Sequence, residues 1–163
     1  MTESDDTIAL EDFLPYRLAR LAGEISRQLR EVYKEEHGLT IPEWRTLATL
    51  GQFGTVTAKH IGIHASMHKT KVSRAVASLE NRRWINRARN PGDRREDFLS
   101  LTRSGRQAYQ RLVPKMRVFE NAILERFADN AGSDRSVDLF ATLHALEVVL
   151  GIETPAAAKR NFP

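Results

Sequence analysis

His60, His64 and His68 recur every four residues, and histidines at i and i+4 on one helix can share a metal ion. A tight turn is expected between them, which makes the rings diverge. No cysteine is present to complete a ligand set. No metal site is therefore expected, and no cofactor. Covalent and acid–base chemistry are equally thin. The sequence offers no Ser/His/Asp grouping, no glycine-rich phosphate loop and no paired carboxylates at a pocket, so the reading is not that of an enzyme.

What the sequence does concentrate is positive charge. Residues 57–106 hold 12 Lys/Arg against 4 Asp/Glu, a net +8, whereas the rest of the 163 residues carry a net −4. A basic middle points to a polyanion, with a solvated basic surface as the plain alternative. Two groups stand out within the window. From Ser66 to Arg82, Val72, Val76 and Leu79 mark one helical face, while Ser66, Thr70, Ser73, Arg74 and Ala77 fall opposite. That second face is small, polar and cationic, and suits insertion into a groove, where Arg and Lys meet guanine O6/N7 and Ser or Thr meet bases or phosphates. The other group is Asp93-Arg94-Arg95, on a turn signalled by Asn90-Pro91-Gly92-Asp93. Arginines on such a tip reach a narrow minor groove, and Asp93 is placed to orient Arg95 through a bidentate pair.

Local patterns say which elements carry these groups. Leu14, Leu18, Leu21, Ile25, Leu29 and Val32 form one stripe of a long helix over roughly 11–36, with Pro15 near its start and Gly38 past its end. Thr40 and Glu43 read as a capping box for a second helix with Trp44, Leu47, Ala48 and Leu50 inward, broken by Gly51 and Gly54. Thr57 caps a short helix from Ala58 to about Ile63, and Ser66 is expected to cap the cationic one. Trp84 to Arg89 and Phe98 to Leu101 read as two strands of a hairpin. Thr102 caps a long helix to about Phe127, which Pro114 should kink. Asn130 to Ser133 break the chain, and Val137, Phe140, Leu143 and Leu146 mark a last helix ending near Gly151, before a weakly patterned tail from Thr154 to Pro163. Short helix, turn, cationic helix and hairpin make a winged helix-turn-helix. The expected fold class is mainly α, with a two-stranded wing and further helices at both ends.

The stretch from Met67 to Glu80 resembles the recognition helix of MarR-type regulators. Asp93 to Gly105 resembles that family's wing, in the pattern D-x-R-x5-L-T-x-x-G. The resemblance covers about residues 12–150, and His68 and Lys71 depart from the residues usual there. It implies one domain over 1–163, with the winged helix-turn-helix at about 40–103 and dimerisation helices at 8–36 and 104–151. It implies that Ser66, His68, Lys69, Thr70, Lys71, Ser73 and Arg74 form the major-groove set. Asp93, Arg94 and Arg95 form the wing contact, with Arg95 in the minor groove. The implied activity is that of a homodimeric, ligand-responsive repressor on double-stranded DNA. Ile8, Leu10, Phe13, Phe140, Leu143, Val149 and Leu150 support the dimer independently, as more apolar surface than a small monomer buries.

Leu14 to Leu21 and Ile41 to Arg45 are similar to members that regulate aromatic-acid catabolism. By that likeness Tyr16, Arg17, Arg20 and Trp44 bind an aromatic acid or its CoA thioester, the arginines on a carboxylate or phosphate and Trp44 against a ring. The alternative is a core tryptophan and arginines in surface or interface ion pairs. The acidic, polar start and the lack of any apolar run near 18 residues imply a soluble cytoplasmic protein with no membrane partner. A winged-helix protein-interaction module without small-molecule response is the reading from another class.

Overall fold

The computed structural model describes residues 7–92, 95–130 and 138–152. The elements run α1 (Leu14–His37), α2 (Ile41–Phe53), β1 (Val56–Thr57), α3 (Ala58–His64), α4 (Lys69–Asn81), β2 (Ile85–Arg89), β3 (Asp97–Leu101), α5 (Arg103–Asn130) and α6 (Leu139–Val149). Two compact units divide within α5, one spanning Met1–Phe119 and the other Glu120–Pro163. Among the described residues no helix is long and apolar enough to cross a membrane.

In the first unit a single buried cluster joins every element. Leu47 and Leu50 come from α2, Ile61 from α3, and Val72, Val76 and Leu79 from α4. Ile85, Leu99 and Leu101 come from the strands, Leu112 from α5 and Tyr33 from α1. A fully buried Leu, Ile or Val contributes about 1.5–3 kcal/mol and a helix cap about 1 kcal/mol. Packing therefore decides which faces turn inward, and caps decide where helices begin. Thr40 and Glu43 close the expected capping box, Thr57 Oγ1 accepts from His60 N–H, and Thr102 Oγ1 accepts from Gly105 N–H. Gly38 ends α1 at φ 62°, the left-handed value that favours glycine.

Two expectations are corrected. Ser66 does not cap the cationic helix; it sits in the turn at φ 51°, and α4 starts at Lys69 with His68 as its N-cap. A backbone hydrogen bond from Met67 N–H to the Gly62 carbonyl fixes that turn. Gly51 does not break α2, which runs on to Phe53 and is capped by Gly54. The expected two-stranded wing forms, and a strand that the sequence reading missed extends its sheet. β1 pairs with β3 (Val56 opposite Leu99, Thr57 opposite Phe98), giving an antiparallel sheet in the order β1-β3-β2. The α1 stripe forms as expected. Leu14, Leu21 and Ile25 are exposed, and the buried residue of α1 is Tyr33, because only the end of the helix reaches the core.

The corner between α4 and β2 is locked to the start of α5. Thr102 and Ser104 hydroxyls both donate to the Arg83 carbonyl, and Thr102 N–H donates to that of Trp84. Gly105 lies against the same peptide, where a Cβ would stand 2.1 Å from the Trp84 oxygen. α5 runs unbroken through Pro114, which has no N–H for the preceding turn. In the second unit, α6 begins at Asp138, whose carboxylate accepts from Phe140 and Ala141 N–H. Val137, the residues 131–133 of the expected break and the tail 154–163 lie outside the described residues.

Candidate nucleic-acid interface

α4 buries Val72, Ala75, Val76 and Leu79 and leaves Lys69, Thr70, Lys71, Ser73, Arg74 and Ala77 exposed. The buried positions fall three and four apart, so the polar set is turned outward as a group. Two attachments hold the helix at that angle. Ser78 donates to the Glu43 carboxylate, whose other oxygen accepts from Thr40 N–H at 2.6 Å and Thr40 Oγ1 at 2.8 Å. Arg82 donates to the carbonyls of His37 and Gly38 at 2.7 and 3.3 Å. Burial pushes the Glu43 carboxyl up, but these hydrogen bonds more than offset it, so its pKa lies below the usual carboxylate value. Both attachments tie the recognition helix to the corner between α1 and α2.

Ser66 and His68 lie exposed just ahead of α4, and His68 Nδ1 accepts from Thr70 N–H at 3.5 Å. Arg95 is exposed two residues before β3. Asp93 and Arg94 lie outside the described residues, and with them the expected brace on Arg95. A cleft of about 570 Å³ separates α4 from the hairpin. Lys69 and Ser73 border it on one side and Arg87 and Arg95 on the other, over a floor of Met67, Val72 and Val76. Lys59 of α3 adds a further cation to the rim. α4 and the hairpin thus open onto one surface, with cations on both banks and Glu96 and Asp97 beside Arg95.

Arg87 of the basic window is exposed but engaged by acids. Arg87 forms ion pairs with Glu80 of α4 and Asp97 of β3, and these neighbours hold its pKa above the ordinary arginine value. Sequence reasoning missed this trio because its members lie seven and ten positions apart and meet only when the hairpin folds back on α4.

His60 and His64 stay together rather than diverging, because the turn falls after His64 and separates only His68. Their rings stack at 6.2 Å, and Phe53 meets both edge-on. Thr49 Oγ1 donates to the Arg45 carbonyl, so it faces His64 Nδ1 as an acceptor at 3.2 Å. Among the described residues no group of three or more metal-ligating side chains occurs. Burial and the neighbouring His60 lower the His64 pKa, and burial lowers that of His37. Both rings are therefore harder to protonate folded than unfolded. Their contribution to stability is complete above the ordinary histidine pKa of 6.5 and is lost as pH falls below it. The thermal midpoint should accordingly be lower at pH 5 than at pH 7.5, and His64→Gln should narrow that gap in a melting series.

The expected effector residues fall into two places. On α1 the Arg20 guanidinium lies 5.7 Å from the Tyr16 ring centre, and Arg17 and Arg20 line an open depression with Glu11, Asp12, Glu24 and Arg27. Trp44 is half-buried in a stack between Tyr33 at 5.7 Å and Tyr109 at 6.3 Å. Tyr33 stands 13 residues beyond Arg20 on α1, about 20 Å at the helical rise. Within one chain the arginines and Trp44 therefore do not share a pocket.

A family model described as "MarR family" matches residues 37–96. The chain is 32% identical over 95 residues to YwoH of Bacillus subtilis (strain 168), an uncharacterized HTH-type transcriptional regulator, covering 58% of this chain and 69% of the relative. A MarR-family regulator from Silicibacter pomeroyi superposes at a TM-score of 0.71 and 27% identity, over 91% of this chain and 96% of that one. CouR from Rhodococcus jostii RHA1, bound to p-coumaroyl-CoA, superposes at 0.68 and 16% identity, over 91% and 97%.

Proposed function

Since this chain belongs to the MarR family of DNA-binding transcriptional regulators, we propose that it is a ligand-responsive repressor, which binds a pseudo-palindromic operator as a homodimer and is released by an aromatic acid or its CoA thioester. The observation that carries the DNA half of this reading is the shared cleft: Lys69 and Ser73 on one bank, Arg95 on the other. A helix set in the major groove then brings Arg95 to the adjacent minor groove. Thr70, Lys71, Ser73 and Arg74 read bases or phosphates, and Lys59 and Lys69 add backbone contacts.

The dimer is supported by apolar side chains that each unit leaves open. Leu14, Leu21 and Ile25 are exposed on α1, and in the other unit Phe140, Leu143, Val148 and Val149 are exposed on α6, which buries no residue. A second copy is the cover that also places two recognition helices on half-sites about 34 Å apart. The effector class is supported by CouR, whose bound molecule is a CoA thioester, and by the ring stack around Trp44. A site using both Trp44 and Arg17 or Arg20 takes its arginines from the second chain. The ligand favours a dimer geometry whose half-site spacing no longer matches the operator.

Anisotropy titration of a labelled fragment of the gene's own promoter tests this. Several phosphate contacts per half-site should cost roughly 10³-fold in affinity between 50 and 200 mM salt, and p-coumaroyl-CoA or free aromatic acids should release the fragment. A flat salt response would favour the protein-interaction module instead.

A further inference from the structure

By sequence Arg87 belongs with the DNA-seeking cations, but the fold gives its guanidinium to acids. Nε and Nη2 pair with the two Glu80 oxygens at 2.9 and 3.1 Å, and Nη1 donates to Asp97 Oδ2 at 3.1 Å. One planar group thus spans the C-terminal turn of α4, the middle of β2 and the first residue of β3. We propose that Arg87, gripped by Glu80 and Asp97, is a positioning residue for DNA recognition, which fixes the hairpin against the recognition helix.

The hairpin needs such a fastening. Ile85, Leu101 and Leu99 pack its base into the core, and cross-strand pairing puts Arg87, Arg89 and Asp97 next on the same face. Beyond Leu99 no described hairpin side chain is buried. Apolar contact therefore ends halfway along the wing, where Arg87 sits opposite Leu99. A guanidinium making three hydrogen bonds to two carboxylates restricts direction as well as distance, which a lysine at that position would not do.

The two acids are otherwise out of place. Glu80 lies at the negative end of the α4 dipole, and both acids stand beside a surface built to attract phosphate. Neither attracts DNA; both are accounted for by their grip on Arg87.

The competing view makes Arg87 a direct phosphate contact and the acids incidental. Isosteric neutralisation separates the two, because it moves them in opposite directions. Removing a negative charge beside DNA strengthens binding by simple electrostatics, whereas releasing Arg87 weakens it. Glu80→Gln and Asp97→Asn should each weaken operator binding roughly three- to tenfold, the range typical of coupled networks. Hydroxyl-radical protection of the flanking minor groove should fade while methylation protection of major-groove guanines persists. Unchanged or tighter binding by both variants overturns the proposal, as does an equal loss of both protections. Asp97→Asn, on a strand, serves as the second arm should Glu80→Gln loosen α4 in a thermal melt.

The proposal rests on the hairpin being the second DNA contact, and Arg95→Ala keeps the two apart. Weakened binding by Arg95→Ala with wild-type binding by both neutralised variants sinks the clamp alone. Wild-type binding by Arg95→Ala sinks the hairpin reading and the clamp with it.

Discussion

Arg74→Ala is expected to weaken binding to the promoter fragment by roughly 10- to 100-fold, or about 1–3 kcal/mol, and to flatten the preference among operator variants. Arg74 is exposed on α4, one turn beyond Thr70 and next to Ser73, with short neighbours that let the helix approach base edges. In the proposed reading a guanidinium there meets guanine O6 and N7 together, so its loss should remove discrimination at that base as well as affinity. Arg95→Ala should also weaken binding, but more evenly across operator variants and with a shallower salt slope, since a hairpin contact reads groove width and potential. Anisotropy titrations over single-base operator variants at two salt concentrations distinguish the two effects. Wild-type binding by both variants would remove the basis for reading this surface as the DNA interface.

Gly105→Ala should lower stability by about 2–3 kcal/mol, at the upper end for overpacking a tight contact, and the thermal midpoint by roughly 5–10 °C. The added methyl group would stand 2.1 Å from the Trp84 carbonyl oxygen. That carbonyl cannot retreat without breaking its bond from Thr102 N–H, and the adjacent Arg83 carbonyl is held by two hydroxyls. Gly23→Ala is the matched control. It too lies inside a helix, but nothing stands within 4 Å of the added carbon, so restriction of the unfolded chain should stabilise by about 0.4–1 kcal/mol. Opposite signs for the same substitution in two helices would locate the effect in the Trp84 contact; a stable Gly105→Ala variant would refute it.

These two residues also show how far the sequence could be read. The spacing of Val72, Val76 and Leu79 was enough to turn Arg74 outward, because burial of a helical stripe dictates the opposite face. The Thr102 and Gly105 spacing was recognisable as a pattern, while its cause, a close approach to a peptide twenty-one residues earlier, exists only in the folded corner. Caps that act within four residues, at Thr40, Thr57 and Gly38, were legible for the same local reason. Ser66 misled because any serine ahead of a helix has a cap's chemistry; the backbone bond from Met67 to Gly62 puts it in the turn instead. β1 has two residues and therefore no period to detect. Trp44 was placed on the inward side, but its partners come from α1 and α5, and no local pattern pairs rings so far apart.

Thr57 closes β1 and caps α3 with the same residue. No loop intervenes, so torque on the hairpin passes through β3 and β1 straight into the first helix of the helix-turn-helix. The winged lobe is thus braced from the hairpin to the helix-turn-helix through a single residue. In the proposed dimer, release from DNA is then expected to act on the spacing of the two lobes rather than on the shape of either.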